Sequence, residues 1–338
     1  MPEKSRKLRV TVLGGGSWGT TVAALVARNA PVTLWMRDPG AVAEINTHHS
    51  NKKYLANAPL PKNMAATTNL QQAVEDTDVL VIGIPSQGFR QVLEQAKQHI
   101  RPWIPIISLT KGLELSTGKR MSEIIEEILP GHPVGVLTGP NLAREILAGQ
   151  AAATVLAMKD QNIVTRLQQV FNSGLFRVYT NDDVVGCELG GVLKNIIAIA
   201  VGMGDGMGAG DNTRAALITR GLAEITRLGV AMGGKPETFS GLTGMGDMIA
   251  TCTSPQSRNR HVGVELGKGK DIESIITSMV MVAEGVKSTP TVLKLAQELG
   301  IDTPIVQEVS NVLQGHSTAS NSFRGLIREK AGAESEPG

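Results

Sequence analysis

Val10-Thr-Val-Leu-Gly14-Gly-Gly16-Ser-Trp-Gly19 is the stretch that decides the fold. A short apolar run leads into a Gly-x-Gly-x-x-Gly turn, and an alanine-rich helical pattern, Thr20 to Arg28, follows at once. Each glycine has its own physical reason. Gly14 permits a tight turn, Gly16 lets the backbone approach a pyrophosphate, and Gly19 lets the helix pack on its strand. The helix N-terminus then aims N–H groups at the anion. The spacing alone is weak in a chain with 38 glycines; strand, loop and helix in this order give it meaning. The bland alternative is a strand-to-helix turn with no ligand.

Further apolar, β-rich runs recur at Val32–Trp35, Val79–Ile84, Pro105–Leu109, Val134–Thr138, Ala153–Ala157 and Phe176–Tyr179. Helical patterns such as Phe89–His99 and Lys119–Leu129 lie between most of them. Short continuous apolar strands separated by helices predict a mainly parallel sheet buried on both faces. The rhythm changes after about residue 182. Asp182–Val201 reads as a long apolar helix, followed by helical patterns at Thr213–Leu228, Arg260–Leu266, Ile272–Met279, Thr289–Leu299 and Pro304–Leu313. The expected architecture is an α/β Rossmann-type doubly wound sheet followed by an all-α C-terminal domain. Residues 1–188 form the first domain and 189–330 the second, with 331–338 a disordered tail.

The bulk composition excludes several classes. Of 338 residues, 33 are basic and 31 acidic, spread along the chain, which argues against nucleic acid or a membrane surface as the main partner. No run of 18 uninterrupted apolar residues occurs, so no membrane span is expected. The two cysteines, Cys187 and Cys252, lie far apart, which suits a reducing cytoplasm and gives no metal-ligand spacing. The six histidines form no metal pattern either, and His48-His49 reads as part of a solvated loop with Tyr54.

Ligands of such sheets sit beyond the carboxyl ends of the strands. The second strand ends in Trp35-Met36-Arg37-Asp38, where an acid favours NAD and an arginine NADP. The adjacent pair reads toward NADPH and leaves NADH open. Lys111 follows the Pro105–Leu109 strand, where a cation can hold a phosphate or polarise a carbonyl; its bland reading is a solvated loop lysine. Lys194-Asn195 interrupts the apolar Asp182–Val201 pattern. A buried ammonium is costly, so this lysine either snorkels outward or has a task, and burial lowers its pKa toward neutral. Asp247 stands in the turn-like Gly241-Leu-Thr-Gly-Met-Gly246-Asp247 segment, as the partner of Lys194 or as a helix cap. The polar loop Thr251 to His261, with Ser257-Arg258-Asn259, reads as an anion site at a helix start or as simple capping.

These segments together resemble the bacterial-type NAD(P)-dependent glycerol-3-phosphate dehydrogenases. The resemblance rests on Gly14–Gly19, Ser108-Leu-Thr-Lys-Gly-Leu-Glu114, Thr138-Gly-Pro140, Gly191-Val-Leu-Lys-Asn195, Gly241–Asp247, Ser257-Arg-Asn259 and Val282-Ala-Glu-Gly285, in order, over about residues 8 to 325. It implies reduction of dihydroxyacetone phosphate to sn-glycerol 3-phosphate for glycerophospholipid synthesis, in a cytoplasmic homodimer. It implies Lys194 as the proton donor or acceptor. Lys111, Gly139, Asn141, Lys194, Asp247, Ser257, Arg258 and Asn259 become substrate contacts. Gly14, Gly16, Ser17, Trp18, Gly19, Arg37, Lys111, Ala143, Arg258, Val282 and Glu284 become contacts to NADP or NAD, and no metal is implied. One departure stands out: Asn141 replaces the usual serine after Gly-Pro and is bulkier. Two alternatives remain open from the sequence. A related two-domain dehydrogenase acting on another hydroxy acid or sugar shares the cradle but has less use for the Ser257–Asn259 loop. A cofactor-sensing module has no use for the Lys111, Lys194 and Asp247 set.

Overall fold

The computed structural model describes residues 6–56, 58–279 and 281–328; the 331–338 tail lies outside them. The chain forms two compact units. One is built from the chain up to Thr110 together with Met121–Val184, the other from Lys111–Arg120 together with the chain from Val185 onward.

The first unit carries eight strands: β1 (Val10–Leu13), β2 (Val32–Trp35), β3 (Met64–Thr67), β4 (Val79–Ile82), β5 (Ile106–Ser108), β6 (Val134–Thr138), β7 (Ala152–Met158) and β8 (Phe176–Asn181). Their order in the sheet is β3-β2-β1-β4-β5-β6-β7-β8. Every neighbouring pair is parallel except β6 with β7. β1, β4 and β6 are buried along their whole length, as a sheet covered on both faces requires. β3 was not expected from sequence. Met-Ala-Ala-Thr has little β-propensity, and pairing with β2 makes it a strand.

The strand order reverses between β1 and β4, so the loops after these two strands flank the switch point where ligands of such sheets bind. Here Gly14 has φ +116°, and a Cβ on it would lie 2.5 Å from the Gly83 carbonyl oxygen. A Cβ on Gly19 would lie 2.0 Å from the Gly14 oxygen, so helix and turn meet only because both residues are glycine.

The second unit is helical and organised around the Val184–Gly206 helix. This helix is long and apolar enough to cross a membrane, but 94% of its apolar window is buried within the protein, around Leu189, Val192, Ile196 and Ile197. The chain passes between units at its first turn, and the expected division at 188/189 falls one turn further on. The Arg258–Gly267 helix packs on it through glycines. A Cβ on Gly202 would lie 2.2 Å from the Arg260 oxygen, and one on Gly263 2.1 Å from the Ile199 oxygen. That close approach carries residue 259 to residue 195.

Three local expectations change. The Gly241–Gly246 segment is a π-helical turn, Leu242–Gly246, that runs directly into the Asp247–Thr253 helix; it is not a free turn. The Thr289–Leu299 pattern begins earlier, at Glu284, with Pro290 inside the helix. His48 ends the Pro39–His48 helix and His49 follows it in the left-handed region at φ 49°, so the pair caps a helix and does not sit in an open loop.

Candidate active site

In the sheet unit, the helix Ser17–Val26 starts directly after the glycine loop, and no side chain caps it. Among the described residues, the N–H groups of Gly16, Ser17 and Trp18 find no acceptor. A Cβ on Gly16 would meet nothing within 4 Å, so protein packing does not explain that glycine. Trp18 packs edge-on against Phe176 at 6.3 Å, and its indole Nε1–H is buried with no partner. Outward N–H groups at a positive helix end, beside an unneeded-by-packing glycine, fit a pyrophosphate.

At the end of β2, Asp38 caps the next helix, accepting from the Gly40 and Ala41 N–H groups at 3.0 and 3.2 Å. The cap engages this carboxylate in local structure. Arg37 is exposed and makes no hydrogen bond or ion pair among the described residues. Beyond β6, Gly139 has φ +142° and Asn141 is half-buried. The Asn141 Nδ2 donates to Thr154 Oγ1 at 3.2 Å, while the Thr154 hydroxyl donates to the Thr138 carbonyl at 2.8 Å. The Asn141 Oδ1 is left buried without a donor. Ala143 begins the short helix Ala143–Leu147.

In the helical unit, Lys194, Lys111 and Asp247 come together. Lys194 is 5% exposed, so the snorkelling alternative fails. Its Nζ donates to Asp247 Oδ1 at 2.9 Å and to the Thr251 hydroxyl. Lys111 Nζ donates to Asp247 Oδ2 at 2.6 Å. Thr251 in turn donates to Asp247 Oδ1 at 3.3 Å. One buried carboxylate is thus shared by two ammonium groups. Burial pulls the Lys194 pKa down to about 8; Asp247 holds it up, and the nearby Lys111 charge pulls it further down. The neighbouring Cys252 thiol is pushed up to about 12 by burial and stays protonated.

The segment carrying Lys111 is fixed within this unit. Leu113 is fully buried in the helical core, and Arg120 donates to Glu188 at 3.0 Å, with the Glu188 side chain 1% exposed. Thr117 closes the turn by donating to Glu114 at 2.6 Å.

The Ser257–Asn259 segment divides. Ser257 is buried and caps the Arg258–Gly267 helix, accepting from the Arg260 N–H at 3.2 Å. Asn259 donates to Asn195 Oδ1 at 2.9 Å and accepts from the Gly285 N–H at 3.0 Å. Arg258 is exposed and donates to the Val282 carbonyl at 2.7 Å. Val282 and Glu284 therefore lie at a helix start anchored by Arg258 and Asn259. Thr251, expected at the start of a polar loop, lies inside the Asp247–Thr253 helix, and its bond to Lys194 is the contact that sequence reasoning missed. Thr251 stands four residues after Asp247 on one helix face, a spacing that could have found it once the helix was recognised.

Sequence comparison adds the lineage. The profile of the NAD-dependent glycerol-3-phosphate dehydrogenase N-terminus matches residues 9–164, and that of the C-terminus matches residues 183–324. The chain is 68% identical to the glycerol-3-phosphate dehydrogenase [NAD(P)+] 2 of Sphingopyxis alaskensis, over 98% of this chain and all of that protein. It is 54% identical to the glycerol-3-phosphate dehydrogenase [NAD(P)+] 1 of Mycobacterium tuberculosis, over 99% of this chain and 98% of the relative. The crystal structure of a glycerol-3-phosphate dehydrogenase from Coxiella burnetii superposes with a TM-score of 0.91 at 37% identity, covering 96% of this chain and 99% of that one.

Proposed function

This chain belongs to the NAD-dependent glycerol-3-phosphate dehydrogenase family, and from that premise we propose that it reduces dihydroxyacetone phosphate to sn-glycerol 3-phosphate with NADPH or NADH. The observation that carries the chemistry is the buried Lys194 ammonium, paired with a buried carboxylate and with a pKa of about 8. A group with that pKa exchanges a proton near neutral pH.

When bound, the nicotinamide cofactor would supply the hydride for reduction at C2 of the substrate. Lys194 delivers a proton from Nζ to the C2 oxygen, and its positive charge stabilises the developing alkoxide. The neutral amine is then reprotonated from solvent. In the oxidation direction the same amine accepts the hydroxyl proton. Asp247 keeps Lys194 charged and oriented, and Thr251 fixes its Nζ. Lys111 is the second cation, contacting substrate and cofactor. Arg258, Ser257 and Asn259 hold the phosphate end, Gly139 and Asn141 contribute further substrate contacts, and remote phosphate binding supplies energy used at the reacting carbon. The glycine loop from Gly14 to Gly19, with Ser17 and Trp18, holds the pyrophosphate side of the dinucleotide; the family resemblance assigns Ala143, Val282 and Glu284 to the same cofactor. The unpartnered Arg37 reads the 2′-phosphate, which favours NADPH. Division into a cofactor domain up to residue 188 and a substrate domain after it rests on the change from alternating strands and helices to helices alone; a cytoplasmic homodimer and a product destined for glycerophospholipid synthesis rest on the family resemblance.

The test is loss of reduced-nicotinamide absorbance on adding dihydroxyacetone phosphate, with unphosphorylated dihydroxyacetone alongside. Rapid, phosphate-dependent oxidation is expected. A folded protein that binds NADPH and oxidises it with neither ketone refutes the substrate.

A further inference from the structure

We infer that Asn51, outside every motif considered above, is a positioning residue for the dinucleotide cradle: it fixes the peptide that turns the Gly16 N–H toward the pyrophosphate.

Asn51 is completely buried. It stands at the N-cap of the short Lys52–Leu55 helix, where an asparagine side chain ordinarily accepts from the helix's first N–H groups. It makes no such bond. Its Nδ2 instead donates to the Gly15 carbonyl at 3.0 Å and to the Thr20 hydroxyl at 2.9 Å. Its Oδ1 finds no donor. The residue therefore gives up a local cap and leaves a buried acceptor unsatisfied, and what it holds in exchange is the glycine loop and the first turn of the helix that follows.

The consequence follows from peptide planarity. The carbonyl of Gly15 and the N–H of Gly16 belong to one plane and point in opposite directions. Anchoring the Gly15 oxygen inward to Asn51 therefore turns the Gly16 N–H outward, and that N–H has no acceptor among the described residues. Three glycines in succession, Gly14 to Gly16, leave this peptide with little intrinsic restraint against flipping. A flipped Gly15–Gly16 peptide would present a carbonyl oxygen to an anion. The second bond, to Thr20, ties the same side chain to the helix whose N-terminus faces that anion. The chain leading to Asn51 is itself braced, since Glu44 accepts from Ser50 Oγ at 2.7 Å and from the Lys52 N–H at 2.9 Å.

This inference rests on the reading of the glycine loop as a dinucleotide site. Its test is equilibrium binding to Asn51→Leu, with three probes: NADPH, ADP and adenosine 2′-monophosphate. The first two carry a diphosphate and the third does not. Loss of one hydrogen bond to a charged group predicts NADPH and ADP weakened by about 10- to 100-fold, with adenosine 2′-monophosphate within about twofold of wild type. The Michaelis constant for dihydroxyacetone phosphate and the pH profile should not move. Asn51→Ala, smaller and likewise without a donor, should reproduce the result and decides the matter if the leucine variant does not fold. Unchanged NADPH and ADP affinity overturns the inference, as does an equal weakening of all three probes, which marks a general structural role. If wild-type protein binds neither NADPH nor ADP, the reading of the loop itself has failed.

Discussion

Replacing Asp247 by asparagine should change the pH at which the enzyme works more than its ability to bind substrate. Lys194 Nζ lies 2.9 Å from Asp247 Oδ1, and Lys111 Nζ 2.6 Å from Oδ2. At an effective dielectric constant of about 20, a unit charge pair at 2.9 Å is worth about 6 kcal/mol. Even half of that, at about 1.4 kcal/mol per pKa unit, takes Lys194 from about 8 to about 6. Burial, already the largest cause of the lowering, and the now uncompensated charge of Lys111 push the same way. At pH 7 the ammonium fraction should fall from about nine-tenths to about one-tenth, lowering kcat/KM for ketone reduction about tenfold from protonation alone. Oxidation of glycerol 3-phosphate uses the neutral amine, so the lower limb of its pH profile should shift from about 8 to about 6. The assay is a pair of pH–rate profiles, one in each direction, for wild type and Asp247→Asn. A variant whose reduction profile still turns over near 8, or at higher pH, refutes the argument that Asp247 keeps Lys194 charged.

Three other outcomes follow. Lys194→Ala should lower kcat by about 10²- to 10⁴-fold while leaving the NADPH dissociation constant in place; near-normal turnover with an unaltered pH profile counts against its role. Arg37→Ala should lower the NADPH-to-NADH ratio of kcat/KM by about 10- to 100-fold through loss of a charge-assisted bond to the 2′-phosphate, and an unmoved ratio excludes that contact. Glu224 is buried, accepts from the Ile305 and Val306 N–H groups at 3.0 and 2.9 Å, and is raised by burial from 4.5 to about 7. The native state then holds its proton at pH values where the unfolded chain has released it, so stability should decline as pH rises from about 4.5 to 7. Glu224→Gln should flatten that slope in a series of urea melts; it should cost about 1–3 kcal/mol at low pH by opposing an N–H to the new amide, and less above pH 7, where wild type carries the ionised carboxylate that burial disfavours. An unchanged slope assigns the pH dependence elsewhere.

What the sequence made legible is what neighbouring residues encode together. The β1 strand, the glycine loop and the Ser17–Val26 helix are adjacent in the chain, so spacing and hydropathy suffice to read them. Lys194 was legible for a different reason, because an ammonium in an apolar helix demands a partner, and the partner proves to be Asp247. The failures have a common cause. β3 is a strand because β2 lies beside it, and its own residues say little. Lys111–Arg120 packs with the helical unit although the chain on both sides of it builds the sheet; the burial of Leu113 and the Lys111–Asp247 and Arg120–Glu188 pairs reveal this. Asn51 sits in a polar stretch that reads as surface, yet is fully buried because its donors find the Gly15 carbonyl 36 positions earlier. In each case the deciding interaction joins residues far apart in sequence, and one-dimensional periodicity carries no record of it. The same reasoning explains why the Ser257–Asn259 segment could be read as polar but not apportioned. Whether a hydroxyl caps a helix, as Ser257 does, or an amide braces a neighbouring helix start, as Asn259 does, depends on which backbone groups the fold leaves within reach.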